Sequence, residues 1–326
     1  MLLDPHTGRV LWERRRLPAG GTLFGDDAVA CVAAADDVPA PVVALADGRL
    51  VRSVRLPPSR RRLGTFGRRL VAVAPADAGA ARLEMLDPAT DERIALGTVD
   101  ARSRVVLDGS RLVALDPSGG LTAFDLERRA EAFRVRLPEM PAAFDFLQVV
   151  PRPGRLLVVA GDAADGDGSA AQEGADFFTA RPWQASAETS RPLVAAVWAV
   201  DDSTGGLLWT APATVAGFAL HAAQPTALPL LLFSRSGPPA LGAPRQRHEL
   251  LGLDTRTGHA VLEETTLPAP GVEFGWALRG DPDGRVIELE SAVTGRGLVL
   301  EYTADPLPPQ TPHRAARPRR AAPTDR

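Results

Sequence analysis

One phrase recurs along this chain and constrains its fold more than anything else in the sequence. It is an apolar residue, an Asp, a short turn ending in Thr-Gly, and a second apolar run. It reads Leu3-Asp4-Pro5-His6-Thr7-Gly8-Arg9-Val10-Leu11-Trp12, then Val200-Asp201-Asp202-Ser203-Thr204-Gly205-Gly206-Leu207-Leu208-Trp209, then Leu253-Asp254-Thr255-Arg256-Thr257-Gly258-His259-Ala260-Val261-Leu262. Weaker copies lie at Ala46–Val51, Leu86–Asp91, Phe124–Arg129 and Ala292–Gly295. Anchored on the Gly place, the copies fall at 8, 48, 91, 129, 205, 258 and 295. Most successive spacings are near 40 residues, the length of a four-stranded supersecondary unit.

The chemistry of the phrase is that of a hairpin. Asp opening a turn accepts hydrogen bonds from backbone N–H groups just downstream, and Gly closes the turn where φ must be positive. The flanks Leu121–Phe124 and Ala132–Val135, or Val197–Val200 and Leu207–Trp209, read as short strands. Upstream of the copies lie further apolar runs, at Arg68–Ala74, Arg111–Leu115, Phe144–Val150, Arg155–Ala160, Phe218–Leu220 and Leu228–Phe233. No segment keeps a 3.6-residue apolar period over three turns, and the chain holds 30 Gly and 30 Pro, so many turns are favoured over long helices. The sequence predicts an all-β fold, a β-propeller of about six to seven four-stranded blades over residues 1–303.

Two gaps exceed the period. Residues 161–192, rich in Ala, Gly, Asp and Ser, read as an insertion within one blade, and 234–247 as a shorter one. Phe177, Phe178 and Trp183 stand out in the long insertion and are candidates for binding a partner. Asp162, Asp165 and Asp167 look like part of a calcium loop, but Ala163 and Gly174 occupy its two outer ligand places. Residues 304–326 carry six Pro and five Arg with little apolar bulk and read as a disordered tail.

The phrase Leu-Asp-x-x-Thr-Gly-x-x-x-Trp resembles the repeat of the pyrroloquinoline-quinone-like, or quinoprotein dehydrogenase-like, β-propeller family. In that family the Trp follows the Gly by four residues and docks blade on blade. Trp12 and Trp209 hold that place here, and Phe133 is aromatic at the same offset; Arg52, Ala95, Leu262 and Val299 depart from it. The resemblance implies that Asp4, Gly8, Trp12, Asp201, Gly205, Trp209, Asp254 and Gly258 are structural repeat residues. Catalytic members hold a metal ion beside the quinone with Glu, Asn and Asp, and many stack the quinone against vicinal cysteines. This chain has no Asn and a single Cys, Cys31. The expectation is therefore the non-catalytic branch: no cofactor, no catalytic or metal-binding residues, and a scaffold that binds a protein partner or ligand. Family members of this kind work in the cell envelope or periplasm. The alternatives are a fragment of a quinoprotein dehydrogenase, or a sensor propeller from a larger signalling protein.

Charge adds exclusions. The net charge is −3 with a pI near 6.0, so no global field points to nucleic acid. No run of about 18 apolar residues occurs, so no transmembrane helix is expected. The His residues show no zinc-like spacing. The first residues do not read as a signal peptide. Met1 falls where the third strand of a blade should begin, while Val272–Thr303 carries its own copy of that half in Val286–Glu290 and Leu298–Tyr302. That duplication predicts an N-terminus belonging to a longer protein.

Overall fold

A computed structural model describes residues 2–301, except 4–5, 15–20, 34–35, 37, 78, 143, 164–191, 221–223, 225–227, 238–246, 269–275, 281–285 and 292–296. The described residues form strands and turns, with one 3₁₀ turn at Ser59–Arg61. The described residues divide into two compact units, one ending at Arg134 and the other beginning at Val135.

The first unit starts with a hairpin of β1 (Leu2–Leu3) and β2 (Val10–Trp12). Three antiparallel meanders follow in chain order. Sheet I comprises β3 (Thr22–Gly25), β4 (Val29–Ala33), β5 (Ala40–Ala44) and β6 (Leu50–Val54). Sheet II comprises β7 (Arg62–Phe66), β8 (Arg69–Pro75), β9 (Ala80–Asp87) and β10 (Glu92–Asp100). Sheet III comprises β11 (Arg104–Asp108), β12 (Arg111–Leu115), β13 (Gly120–Asp125) and β14 (Ala130–Arg136).

These sheets pack face on face, and the strand pleat shows how. Along β8, Leu70 joins a cluster with Cys31, Val42 and Leu86, while Val71 and Val73 join Leu83, Met85, Val105 and Phe124. Sheet II is therefore covered on one face by sheet I and on the other by sheet III. That is why Leu70–Val73 is an unbroken buried run instead of an alternating one. The fourth strands β6, β10 and β14 each bury a single residue, so each meander leaves its last strand toward solvent. Glycine permits two of the close approaches. A Cβ on Gly97 would lie 2.7 Å from the Phe124 ring, and one on Gly64 would lie 2.7 Å from Leu107.

The second unit holds a seven-stranded sheet of β15 (Phe146–Arg152), β16 (Arg155–Ala163), β17 (Leu193–Asp201), β18 (Ala213–Leu220), β19 (Leu230–Gly237), β20 (Arg247–Asp254) and β21 (Ala260–Pro268). It is two meanders sharing one strand. The first part of β18 pairs with β17, and Ala219–Leu220 pairs with β19. Gly217, at φ 77°, lies just before the change of partner. We call β15–β18 sheet IV and the remainder sheet V. Their facing sides meet in one cluster that includes Val150, Leu157, Val197, Trp209, Leu231, Phe233 and Leu251. A three-stranded sheet of β22 (Trp276–Gly280), β23 (Val286–Ser291) and β24 (Gly297–Glu301) follows.

The all-β expectation holds, in antiparallel sheets mostly of four strands. One expected strand is corrected. Leu207–Trp209 is not a strand: Leu207 makes an isolated bridge to Val200, Leu208 N donates to Ala199 O, and regular pairing resumes at Ala213. Pro212 has no N–H for the ladder, and the bend carries Trp209 toward the next turn.

Candidate functional site

Each described copy of the phrase closes in the same way. The residue at the Gly place has positive φ in every one: Gly8 (68°), Gly48 (69°), Asp91 (66°), Arg129 (57°), Gly205 (77°) and Gly258 (75°). Its N–H reaches back four residues, from Gly48 to Ala44 O, Asp91 to Asp87 O, Gly205 to Asp201 O and Gly258 to Asp254 O, at 2.7–3.0 Å. The Asp carboxylates accept from the turn: Asp201 Oδ1 from Ser203 N and Thr204 N, Asp254 Oδ1 from Arg256 N, and Asp125 Oδ1 from Glu127 N. The Ser203 hydroxyl and these amides hold Asp201 well below the usual carboxylate range. The Thr before the Gly has a role that the sequence alone did not reveal. Its hydroxyl accepts from the N–H two residues on, in Thr7, Thr90, Thr204 and Thr257.

The two phrase tryptophans reach the turn of the next copy. Trp12 lies on Gly48, where a Cβ would meet the ring at 2.7 Å, and its Nε1 donates to Leu45 O at 2.6 Å. Trp209 lies on Gly258 in the same manner, with a hypothetical Cβ at 2.9 Å. Asp4 lies outside the described residues, as do Phe177, Phe178, Trp183, Asp165, Asp167 and residues 304–326.

A pocket of about 240 Å³ lies between sheets II and III, at the end of the sheets opposite these turns. It is lined by Thr98, Asp100, Ser103, Asp116, Thr122 and Arg134, with Ala80, Val99 and Ala114 supplying apolar surface. Its carboxylates are set by local turns. Arg102 grips Asp100 through its side chain and its backbone N–H, and that bonding lowers the Asp100 pKa. Asp116 Oδ1 takes Ser118 N, Ser118 Oγ and Gly120 N at 2.7–2.9 Å. Arg134 pairs with Glu131 at 2.8 Å. Ser103 and Thr122 lie at the buried side of the pocket.

The lining is rich in hydrogen-bonding groups and poor in reactive ones. It contains no His, Cys or Glu, and no lining hydroxyl donates to a base in a described hydrogen bond. Such a surface can hold a polar group of a ligand in a defined orientation. Among the described residues, no group of three His, Cys, Asp or Glu is arranged to hold a metal ion. No described helix is long and apolar enough to cross a membrane. The sequence reading missed the pocket. Its one legible sign was Asp116-Pro117-Ser118-Gly119-Gly120, a turn that places a carboxylate at the sheet end.

No protein-family model matches the chain, and no curated protein matches it. Solved structures give remote likenesses. The β-propeller domain of the Trilobed protease from Pyrococcus furiosus is 10% identical, with 85% of this chain and 81% of that chain covered and a TM-score of 0.37. The N-terminal domain of Nup159 is 11% identical, covering 83% and 72%, with a TM-score of 0.33. The computationally designed protein Ika8 is 12% identical, covering 87% and 98%, with a TM-score of 0.28. Scores of this size do not fix how the sheets are arranged.

Proposed function

We propose that the chain is a non-catalytic β-propeller scaffold of the pyrroloquinoline-quinone-like kind, whose rims bind a protein partner or ligand. The observation that carries this reading is the covering of sheet II on both faces, by sheet I and by sheet III. Meanders stacked face on face, each with its last strand outward, are the building rule of propeller blades. The Trp-on-Gly docking between successive phrases supports the finer family reading. The pocket between sheets II and III supplies a binding surface: hydroxyls, carboxylates and a guanidinium around a small cleft, without a nucleophile and base in contact.

Two measurements on the purified full chain test it. Dye-linked alcohol oxidation is followed with added pyrroloquinoline quinone and Ca²⁺. Partner capture is compared between wild type and Thr98→Trp, which fills the pocket from an exposed position. Capture lost in the variant, with no dye reduction, supports a binding module. Dye reduction that requires the quinone overturns the reading in favour of an enzyme.

A further inference from the structure

At the tip of the β15–β16 hairpin, Arg152 and Arg155 are directly opposite each other across the Pro153-Gly154 turn. Their side chains share the pleat position of Val150 and Leu157, the face that packs on sheet V. Arg152 is only 9% exposed. Its Nη2 donates to Leu230 O and its Nη1 to Pro151 O, both at 3.2 Å. Its Nε is buried without an acceptor among the described residues. Arg155 Nη1 donates to Thr255 O at 2.7 Å. Neither guanidinium has a carboxylate within salt-bridge distance among the described residues, and burial lowers the Arg152 pKa.

The equivalent hairpins are built differently. Sheet III opposes Asp108 to Arg111, a compensated pair, and sheet II opposes Phe66 to Arg69. Buried Glu84 in sheet II is flanked by Arg82 and Arg93. Only sheet IV, among the described sheets, opposes two like charges at this place. Like charges facing across a strand pair repel, and a buried charge without a counter-ion is costly.

Trp209, on the same side of sheet IV, adds a second buried donor without an acceptor. Trp12 gives its Nε1–H to Leu45 O, three residues before Gly48. The corresponding carbonyl, three residues before Gly258, is Thr255 O, which Arg155 uses instead. Trp209 Nε1 is accordingly buried with no acceptor among the described residues. Among the described residues this rim gathers N–H donors and guanidiniums, while its two nearby carboxylates are already engaged: Asp201, opposite Arg155, by its own turn, and Asp254, opposite Leu230, by Arg256.

We propose that the rim between sheets IV and V is an oxyanion-binding site, with Arg152 and Arg155 as the ligand-holding guanidiniums. Each keeps several N–H groups beyond the bonds named above, and two guanidinium forks suit a carboxylate or phosphate group. Both anions share the chemistry of charged oxygens, and the test separates them. The site belongs to the second unit and the pocket between sheets II and III to the first, and the proposal does not depend on what that pocket binds.

The test is thermal unfolding of the full chain at pH 7 and fixed ionic strength, with chloride exchanged for inorganic phosphate in one arm and succinate in the other. Wild type should melt higher in at least one arm, with saturation, and the arm that responds identifies the anion class. Arg152→Gln and Arg155→Lys should each weaken the apparent affinity at least tenfold. Arg49→Gln, on an exposed guanidinium in the β5–β6 turn of sheet I, should leave it unchanged. If Arg152→Gln does not fold, the half-buried Arg155→Lys decides alone. An equal response in wild type and Arg155→Lys, or no response beyond chloride, overturns the proposal.

Discussion

The indole of Trp209 rests against Gly258, so close that a methyl group on that glycine would lie 2.9 Å from the ring. Trp12 and Gly48 repeat the arrangement in the other unit. The contact ties a residue after one turn to the closing residue of the next, so these two phrases are each completed by the one that follows.

Alanine substitutions at three glycines separate the energy of this contact from that of the turn. All three have positive φ, but nothing lies within 4 Å of a Cβ on Gly8. Gly8→Ala should cost about 1 kcal/mol, the strain of a left-handed alanine. Gly48→Ala and Gly258→Ala must also displace an indole and should cost about 2–4 kcal/mol. Guanidinium unfolding curves measure the difference, and tryptophan emission should shift in the latter two. Equal costs at all three positions would mean that the stacking adds nothing.

The reverse change should stabilise. Arg129 closes its turn at φ 57° without being glycine. Left-handed backbone costs a side-chain-bearing residue about 1 kcal/mol, while glycine gives back roughly half of that through a freer unfolded chain. Arg129→Gly should therefore raise stability by about 0.5 kcal/mol. Arg129→Ala, which keeps the strain, should not. Paired thermal melts check both.

Cys31 is 1% exposed between sheets I and II, and burial pushes its thiol up to about 11. At pH 8 the native protein should not react with a thiol reagent over minutes, whereas protein in guanidinium should take up one equivalent. Rapid labelling of the native state would show that sheets I and II open readily.

Stability should fall on the acid side. The Val29 amide holds Asp26 below its ordinary value, the Arg102 guanidinium does so for Asp100, and the Ser203 hydroxyl does so for Asp201. A carboxyl whose folded pKa is depressed contributes stability above its unfolded value, near 3.9, and loses it as pH falls through the folded value. Melting temperature should thus hold between about pH 7 and 5 and decline below about pH 4. Asp201→Asn keeps an acceptor but does not titrate in this range, so it should shallow the decline. Circular dichroism melts across pH report the slope.

The turns were the legible part of the fold, because their chemistry is local. Asp201, Gly205, Asp254 and Gly258 state their backbone geometry within five residues of chain. The same register placed Asp91 and Arg129 at positions where a glycine was missing, and both have the positive φ a glycine would supply. Leu207–Trp209 reads as a strand but is not one: Trp209 is buried for docking, while Leu207 and Leu208 stay exposed on the bend. The pocket was illegible for a different reason. Thr98, Ser103, Asp116 and Arg134 come from two sheets and their connections, and only packing brings them together. Arg152 and Arg155 are plain in the sequence, but their bonds to the Leu230 and Thr255 carbonyls, in place of a salt bridge, depend on how sheet V packs against them.

The shared strand β18 has a consequence for how the second unit comes apart. Sheets IV and V draw hydrogen bonds from one continuous backbone, and Gly217 is the joint between the two sets. Peeling that strand from either neighbour leaves edge groups unpaired on both meanders at once. The two should therefore open as one cooperative block, a single foldon of twice the usual repeat size, where independent repeats would fray one at a time.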